Sequence, residues 1–263
     1  KNNQFSYYSN LEEQKEVFEI RKAGLNILMS MKGDKKPVAF IEDCAVSLDH
    51  LADYTAQLKE IFKKYNTSGM FYAHASVGTL HIRPVLNMKS DEDIKNMRSI
   101  SEETFEMVKD YKGSHSGEHG DGIVRSEFHE MMFGKEITNA FEEIKDTFDS
   151  KNLLNPGKIV RPLKSNDRSL MRYKSGYQTQ NINTHYDWSN WGQFSDAVEM
   201  CNNNGACRKL DSGVMCPSYR VTKEEKDLVR GRANTLRLAL SNQLPEGSFA
   251  SKEMYETMEL CVS

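Results

Sequence analysis

Phe71-Tyr72-Ala73-His74-Ala75-Ser76-Val77-Gly78-Thr79-Leu80-His81-Ile82-Arg83-Pro84 is the stretch on which the reading of the fold turns. Residues 70–75 and 79–86 read as strands, with Val77-Gly78 as the tip of a tight hairpin. That tip sets His74 directly opposite His81, with Cβ atoms about 5 Å apart. Two imidazoles so placed reach one divalent ion at about 2.1 Å each. Arg83 stands two residues past His81 and projects on the same face of a regular strand. Pro84 marks an edge or a strand end. A cation beside a two-histidine site suits an anionic substrate. Two partly buried sheet histidines are the competing reading of the hairpin alone.

Outward from the hairpin, helical periodicity appears on both sides. Residues 11–29 put Leu11, Val17, Phe18, Gly24, Leu25 and Leu28 roughly on one face. Residues 37–41 are β-like. Residues 48–65 form a second amphipathic helix with Leu51, Tyr54, Leu58, Ile61 and Phe62 at helical spacing. A long helix spans 90–111, opened by the capping pattern Ser90-Asp91-Glu92-Asp93, and another spans 134–148. This order predicts an α+β domain, an antiparallel sheet covered by helices. Between the last two helices lies Gly113-Ser114-His115-Ser116-Gly117-Glu118-His119-Gly120-Asp121-Gly122. Its glycines let the backbone approach a ligand closely. Glu118 would supply a carboxylate as third metal ligand, leaving His119 free for proton transfer, with His115 a rival ligand ranked behind Glu118. Two histidines and one carboxylate around an open position make a catalytic divalent site. A flexible surface loop is the plain alternative.

Bulk composition narrows the class. The 263 residues are 38% hydrophobic and 28% charged, with net charge -3, which suits a globular chain and offers no electrostatic case for nucleic acid. No apolar run approaches the roughly 20 residues of a membrane helix. The chain opens Lys-Asn-Asn-Gln, so it is expected to start inside a longer gene product. A cytoplasmic protein is expected, with docking on the inner membrane and homo-oligomerisation left open. Past Pro162 the composition turns to Ser, Asn, Gln, Tyr and Arg, so 163–194 reads as a linker. Of five cysteines, Cys44 stands alone, while Cys201, Cys207, Cys216 and Cys261 lie in the last quarter. Clustering of this kind points to a metal or cluster rather than a disulfide scaffold.

HASVGTLH (74–81), SGEHGDG (116–122) and LNPGKIV (154–160) together resemble the C-terminal domain of FAD-linked oxidases, a group that includes D-lactate, glycolate and D-2-hydroxyglutarate dehydrogenases. The resemblance spans roughly residues 15–162. It implies a divalent metal (zinc, manganese or iron) on His74, His81 and Glu118, with His119 as general base. It also implies Arg83 and Arg21 near the substrate carboxylate, and Asn155 and Lys158 near FAD carried by a preceding domain. The sequence departs from the family in His-Ala-Ser-Val-Gly, where His-x-Gly-Asp-Gly is commoner, and in Arg83, where some members carry Asn. Arg83 would then be a second carboxylate-binding cation.

In the tail, Cys201-Asn-Asn-Asn-Gly-Ala-Cys207-Arg, Met215-Cys216-Pro217 and Arg230-Gly-Arg232-Ala resemble the helical ferredoxin-like domain fused to one branch of that group. A Cys-Pro pair is a familiar cluster-ligand ending. The resemblance implies 4Fe-4S ligation by Cys201, Cys207 and Cys216, with Cys261 opening a further cysteine run. A zinc site and inert buried thiols are the alternatives. The expected organisation is 1–162 substrate and metal domain, 163–194 linker, and 195–263 partial iron–sulfur domain. The expected function is oxidation of a small 2-hydroxyacid through FAD, with electrons passed through the clusters to an unidentified acceptor. A non-enzymatic electron-transfer or scaffold subunit with a structural metal is the rival, distinguished by whether an FAD domain lies upstream.

Overall fold

In chain order the computed structural model contains α1 (Leu11–Met29), β1 (Lys35–Pro37), β2 (Cys44–Ala45), α2 (Leu51–Lys64), β3 (Gly69–His74), β4 (Thr79–Asn87), α3 (Asp91–Asp110), α4 (Gly122–Arg125), α5 (His129–Phe133), α6 (Lys135–Phe148), α7 (Phe194–Glu199), α8 (Pro217–Thr222), α9 (Val229–Leu240) and α10 (Lys252–Met258). The structure describes residues 6–211, 213 and 215–261; the Leu25 side chain, assigned above to a helix face, lies outside the described residues. The chain divides into two compact units, Asp34–Ser175 and Lys1–Gly33 with Gly176–Ser263.

In the first unit β4 is the hub. It pairs antiparallel with β1, β2 and β3. Its residues are buried almost without alternation, as befits a strand covered on both faces. Pro84 therefore does not mark an edge. β3 ends opposite Pro84 and β1 takes over at Val85, so the missing N–H falls at the handover between partners. Helices α2 and α3 cover the sheet. Tyr54, Leu58 and Phe62 from α2 and Ile100, Phe105 and Val108 from α3 are all buried in its core, each contributing about 1.5–3 kcal/mol of burial. Ser90 caps α3 by accepting from the Asp93 N–H, ahead of three acidic residues in the first turn.

Two local expectations are corrected here. Residues 38–41 form no strand. The strand is Lys35–Pro37, after which Phe40 and Ile41 plunge into the core and the chain reverses at Asp43, φ +64°. The hairpin tip is likewise not a two-residue turn. A 3-10 turn over Ala75–Val77 closes at Gly78, φ +75°, so His74 faces Thr79 and His81 faces Tyr72. The slip from the expected register is two residues, which preserves the face each side chain occupies. Gly78 is required: a Cβ there would lie 1.9 Å from the Val46 carbonyl oxygen.

Stretch 163–175 also belongs to this unit. Arg168 anchors it to Asp91 and donates to the Lys89, Tyr173 and Lys174 carbonyls.

The second unit is helical. Leu228 and Leu240 are buried at its centre. Buried Arg232 donates to the carbonyls of Thr257 and Asp227, tying α9 to α10. Asn10 caps α1 by accepting from Glu12 N–H at 2.8 Å. The bounds of α1 agree with its periodicity, yet Leu11, Val17 and Phe18 on its apolar stripe are exposed. Periodicity says which side of a helix is apolar, not whether anything covers it. No helix among the described residues is long and apolar enough to cross a membrane.

Candidate active site

The Gly- and His-rich loop 113–122 is not slack. Ser114 and Ala45 exchange two backbone hydrogen bonds of 2.9 Å, which hang the loop on the β2 edge. Gly117 N–H then donates to the Asp43 carbonyl at 2.9 Å. A Cβ on Gly117 would come within 2.7 Å of that oxygen, so the glycine serves close approach. Asp43 Oδ2 accepts from the backbone N–H of Glu118 at 2.8 Å and of His119 at 2.7 Å. Its other oxygen pairs with Arg125, which also donates to the carbonyls of Glu42 and Gly120. Asp43 is wholly buried. This pair aims Glu118 and His119 at β4.

Glu118 Oε1 is the focus of what results. It lies 2.8 Å from His81 Nε2, 3.5 Å from His74 Nε2 and 3.5 Å from His119 Nε2. The ligand atoms of His74, His81 and Glu118 all fall within 4.8 Å of one another. Donors about 2.0–2.2 Å from one ion occupy such a volume, and two imidazoles with a carboxylate are the donor set of a catalytic divalent site. The residues present therefore fit the group that the motifs imply. His74 and His81 meet edge to face at 5.0 Å, diagonal across the hairpin rather than opposed. His119 stacks on His81, also at 5.0 Å.

Behind His81 stands a buried polar shell. Tyr72 stacks on its ring at 4.6 Å and donates to Glu42 at 2.7 Å. Arg83 Nη2 pairs with Glu42 at 2.9 Å, and His81 Nδ1 points at the same carboxylate from 3.6 Å. Burial alone would raise the Glu42 carboxyl, but hydrogen bonds from Tyr72 and Arg83 bring it below its ordinary value. Burial lowers His81, against the pull of Glu118 and Glu42. A neutral His81 with an unprotonated Nε2 is the form a metal needs.

The remaining sequence-derived residues are dispersed. Arg83 is on the same face as His81 but is engaged by Glu42. Arg21 is exposed on α1, in the other unit. Asn155 and Lys158 line a cavity of about 480 Å³ with Gly122, Phe141 and Ile144. His115 falls in a separate group with Asp121 and His129. Cys201 and Cys207 line a cavity of about 440 Å³ together with Val229 and Arg230. Cys216 is buried, its Sγ accepting from Val229 N–H at 3.3 Å, and Cys261 is exposed just past α10. Sequence reasoning gave no role to Glu42, Asp43, Tyr72 or Arg125. The signals available were that Glu42-Asp43, followed by Ala45-Val46, fits the family resemblance, and that two adjacent acids close an apolar run, where charge needs a partner.

The sheet therefore carries two histidines on its central hairpin, and the 113–122 loop brings a carboxylate to meet them. The family "FAD linked oxidases, C-terminal domain" matches residues 2–159, and the chain belongs to it. Among curated relatives, the D-2-hydroxyglutarate dehydrogenase of Pseudomonas putida is 36% identical over 84% of this chain and 22% of its own length. The enzyme of the same name from Haemophilus influenzae is 34% identical over 90% of this chain and 23% of its own. The glycolate oxidase subunit GlcD of Bacillus subtilis is 30% identical over 56% of this chain and 31% of its own. The chain thus spans under a quarter of the two D-2-hydroxyglutarate dehydrogenases.

Proposed function

We propose that this chain is the substrate-side piece of an FAD-dependent dehydrogenase that oxidises a D-2-hydroxyacid of the 2-hydroxyglutarate kind to the 2-keto acid. The observation that carries the reading is the convergence of His74, His81 and Glu118 on one point with His119 stacked alongside. A divalent ion held there would lower the pKa of a bound hydroxyl, and a flavin would supply the hydride acceptor. His74, His81 and Glu118 would hold the ion. The Asp43–Arg125 pair holds the Glu118 and His119 backbone against the hairpin. His119 accepts the hydroxyl proton, a role imidazole suits because it titrates near neutrality. Proton to His119 and hydride to flavin together account for the two hydrogens lost. Arg83, set by Glu42, presents positive charge to the substrate carboxylate, and a dicarboxylate gives it a second anion to hold. Arg21 is included as a further carboxylate contact on resemblance alone. Asn155 and Lys158 are proposed to meet the flavin from the cavity they share with Gly122.

The tail is proposed to carry electrons onward through a 4Fe-4S cluster. In support, the match to the Haemophilus relative covers 90% of the chain and so must run into the cysteine-bearing tail. Cys201, Cys207 and Cys216 also gather around the start of α9, the first two beside Val229 and the third accepting from its N–H. Among the described residues no cysteine belongs to a three-ligand group tight enough for a single ion. The Cys216-Pro217 pair, a familiar cluster-ligand ending, is why the cluster reading is preferred to zinc.

The test is a complete protein containing the FAD domain, assayed with D-2-hydroxyglutarate, D-lactate and glycolate. Metal content and turnover should fall together in His81→Ala. Full turnover without metal at this site would overturn the reading.

A further inference from the structure

A second group of metal-capable side chains shares the loop but no residue with the site above: His115 and Asp121 from the loop, and His129 from α5. We propose that His115, Asp121 and His129 form a structural site for a divalent ion of the zinc class, which fastens the 113–122 loop to α5. His129 Nε2 lies 3.1 Å from Asp121 Oδ2, and His115 Nε2 lies 3.5 Å from Asp121 Oδ1. The three ligand atoms sit within 4.8 Å of one another.

Contact geometry makes the case. His129 Nδ1 is 3.3 Å from the Ile159 carbonyl oxygen. A carbonyl can only accept, so Nδ1 holds the proton. The other ring nitrogen, Nε2, faces a carboxylate oxygen at 3.1 Å. That contact needs a positive centre between the two groups, either a proton on Nε2 or a metal ion, and the ion is the bridge proposed here. A backbone partner on the outer nitrogen is the usual way a metal-bound imidazole is oriented.

His115 gives the second, independent observation. It is 1% exposed, and neither of its ring nitrogens makes a well-formed hydrogen bond. Burial pushes its pKa down to about 4, with Asp121 opposing, His129 adding to the fall and the Arg125 backbone favouring the charged form. It is therefore a neutral donor and does not balance the Asp121 charge. Asp121 Oδ1 and His129 Nε2 are likewise buried without a good hydrogen bond. Unmet polar atoms on three neighbouring side chains call for a common partner.

The surroundings suit a closed, non-catalytic site. Phe105 and Phe133 pack on His115, and Phe133 and Phe141 pack on His129. Asp121 is about a fifth exposed and leaves the entry path. Two imidazoles and one carboxylate favour zinc over the oxygen-seeking calcium and magnesium. Asp121 follows His119 by two residues. An ion here would pin the downstream end of the loop whose middle Asp43 already holds, and so fix where Glu118 and His119 stand.

The test is Co²⁺ binding to the metal-stripped 263-residue chain, read by equilibrium dialysis and by ligand-field absorption without a thiolate charge-transfer band. A His74→Ala/Glu118→Gln background removes the first site through two half-exposed side chains. That background should still bind one equivalent, and Co²⁺ should raise its melting temperature. Adding Asp121→Asn or His129→Gln should abolish both effects. In the otherwise unaltered chain, Asp121→Asn alone should lower binding by one equivalent. A folded His74→Ala/Glu118→Gln chain that binds no Co²⁺ would overturn the proposal, and so would binding indifferent to Asp121→Asn. The opposite result, binding lost on His74→Ala/Glu118→Gln and untouched by Asp121→Asn, would leave the first site standing and remove this one. A salt bridge between protonated His129 and Asp121 is what would then remain.

Discussion

His74, Glu118 and His119 are each more than two-fifths exposed, whereas His115 is 1% and His129 4% exposed. Both groups draw on the same ten-residue loop and the same residue types. The first opens to solvent along one side, with only His81 sunk into the sheet. The second is walled by phenylalanines. Chemistry on a dissolved acid needs the open group, since substrate must enter and product leave. A buried group of the same composition holds backbone in place. What separates them is not donor identity but the medium each donor set stands in.

The largest expected effect breaks the first group. In the complete, flavin-containing protein, His119→Asn should keep metal and flavin yet lose about 10²–10⁴-fold in turnover. Steady-state rates with elemental analysis would show it, and near-normal rates would move the proton-transfer role elsewhere.

Next comes the pair that positions the open group. Asp43→Asn leaves Arg125 buried without its counter-charge, and breaking such a pair costs about 3–5 kcal/mol. The measurement is the denaturant midpoint at unchanged slope. A loss below about 1 kcal/mol would mean that other contacts hold the loop.

A third comparison sets the groups against each other directly. Deleting the walled-in ring in His115→Ala should cost the metal-free chain about 2–4 kcal/mol through cavity and lost packing. Deleting the half-exposed ring in His74→Ala should change stability by no more than about 0.5 kcal/mol. Equal costs would erase the distinction drawn between the two.

The smallest effect is a reference away from both groups. Asp149 accepts from Lys145 and from the Leu153 and Leu154 N–H groups, and these contacts hold its carboxyl down at about 2. A depressed carboxyl contributes fully above its unfolded pKa of about 3.9 and loses that contribution as pH falls through its folded value. Hydrogen-exchange protection at Leu153 and Leu154 should therefore be flat from neutral pH down to about 4 and decline below it. A decline already under way at pH 6 would assign the change to a histidine instead.

Much of the open group was legible because strand geometry has a period of two. His74 and His81 had to share a face in the expected register or in one shifted by two residues, so the two rings still meet despite a wrong turn type. The spans of α1 and α3 were legible from capping and helical period. Lys35–Pro37 was missed because a three-residue strand leaves no periodicity to read.

The sequence by itself determined the spans of the long helices α1, α2, α3 and α6, their apolar sides, and that two histidines share one face of the hairpin. Those features rest on local backbone preference and on motif. Only the tertiary structure decided that Leu11, Val17 and Phe18 of α1 stay exposed, that Glu42 claims Arg83, and that Asp43 and Arg125 carry the loop. It alone brought His129 to His115 and Asp121, across a short helix and a 3-10 turn. Such contacts join residues with no fixed spacing along the chain. They exist because buried charge and buried imidazole must find partners wherever folding leaves them.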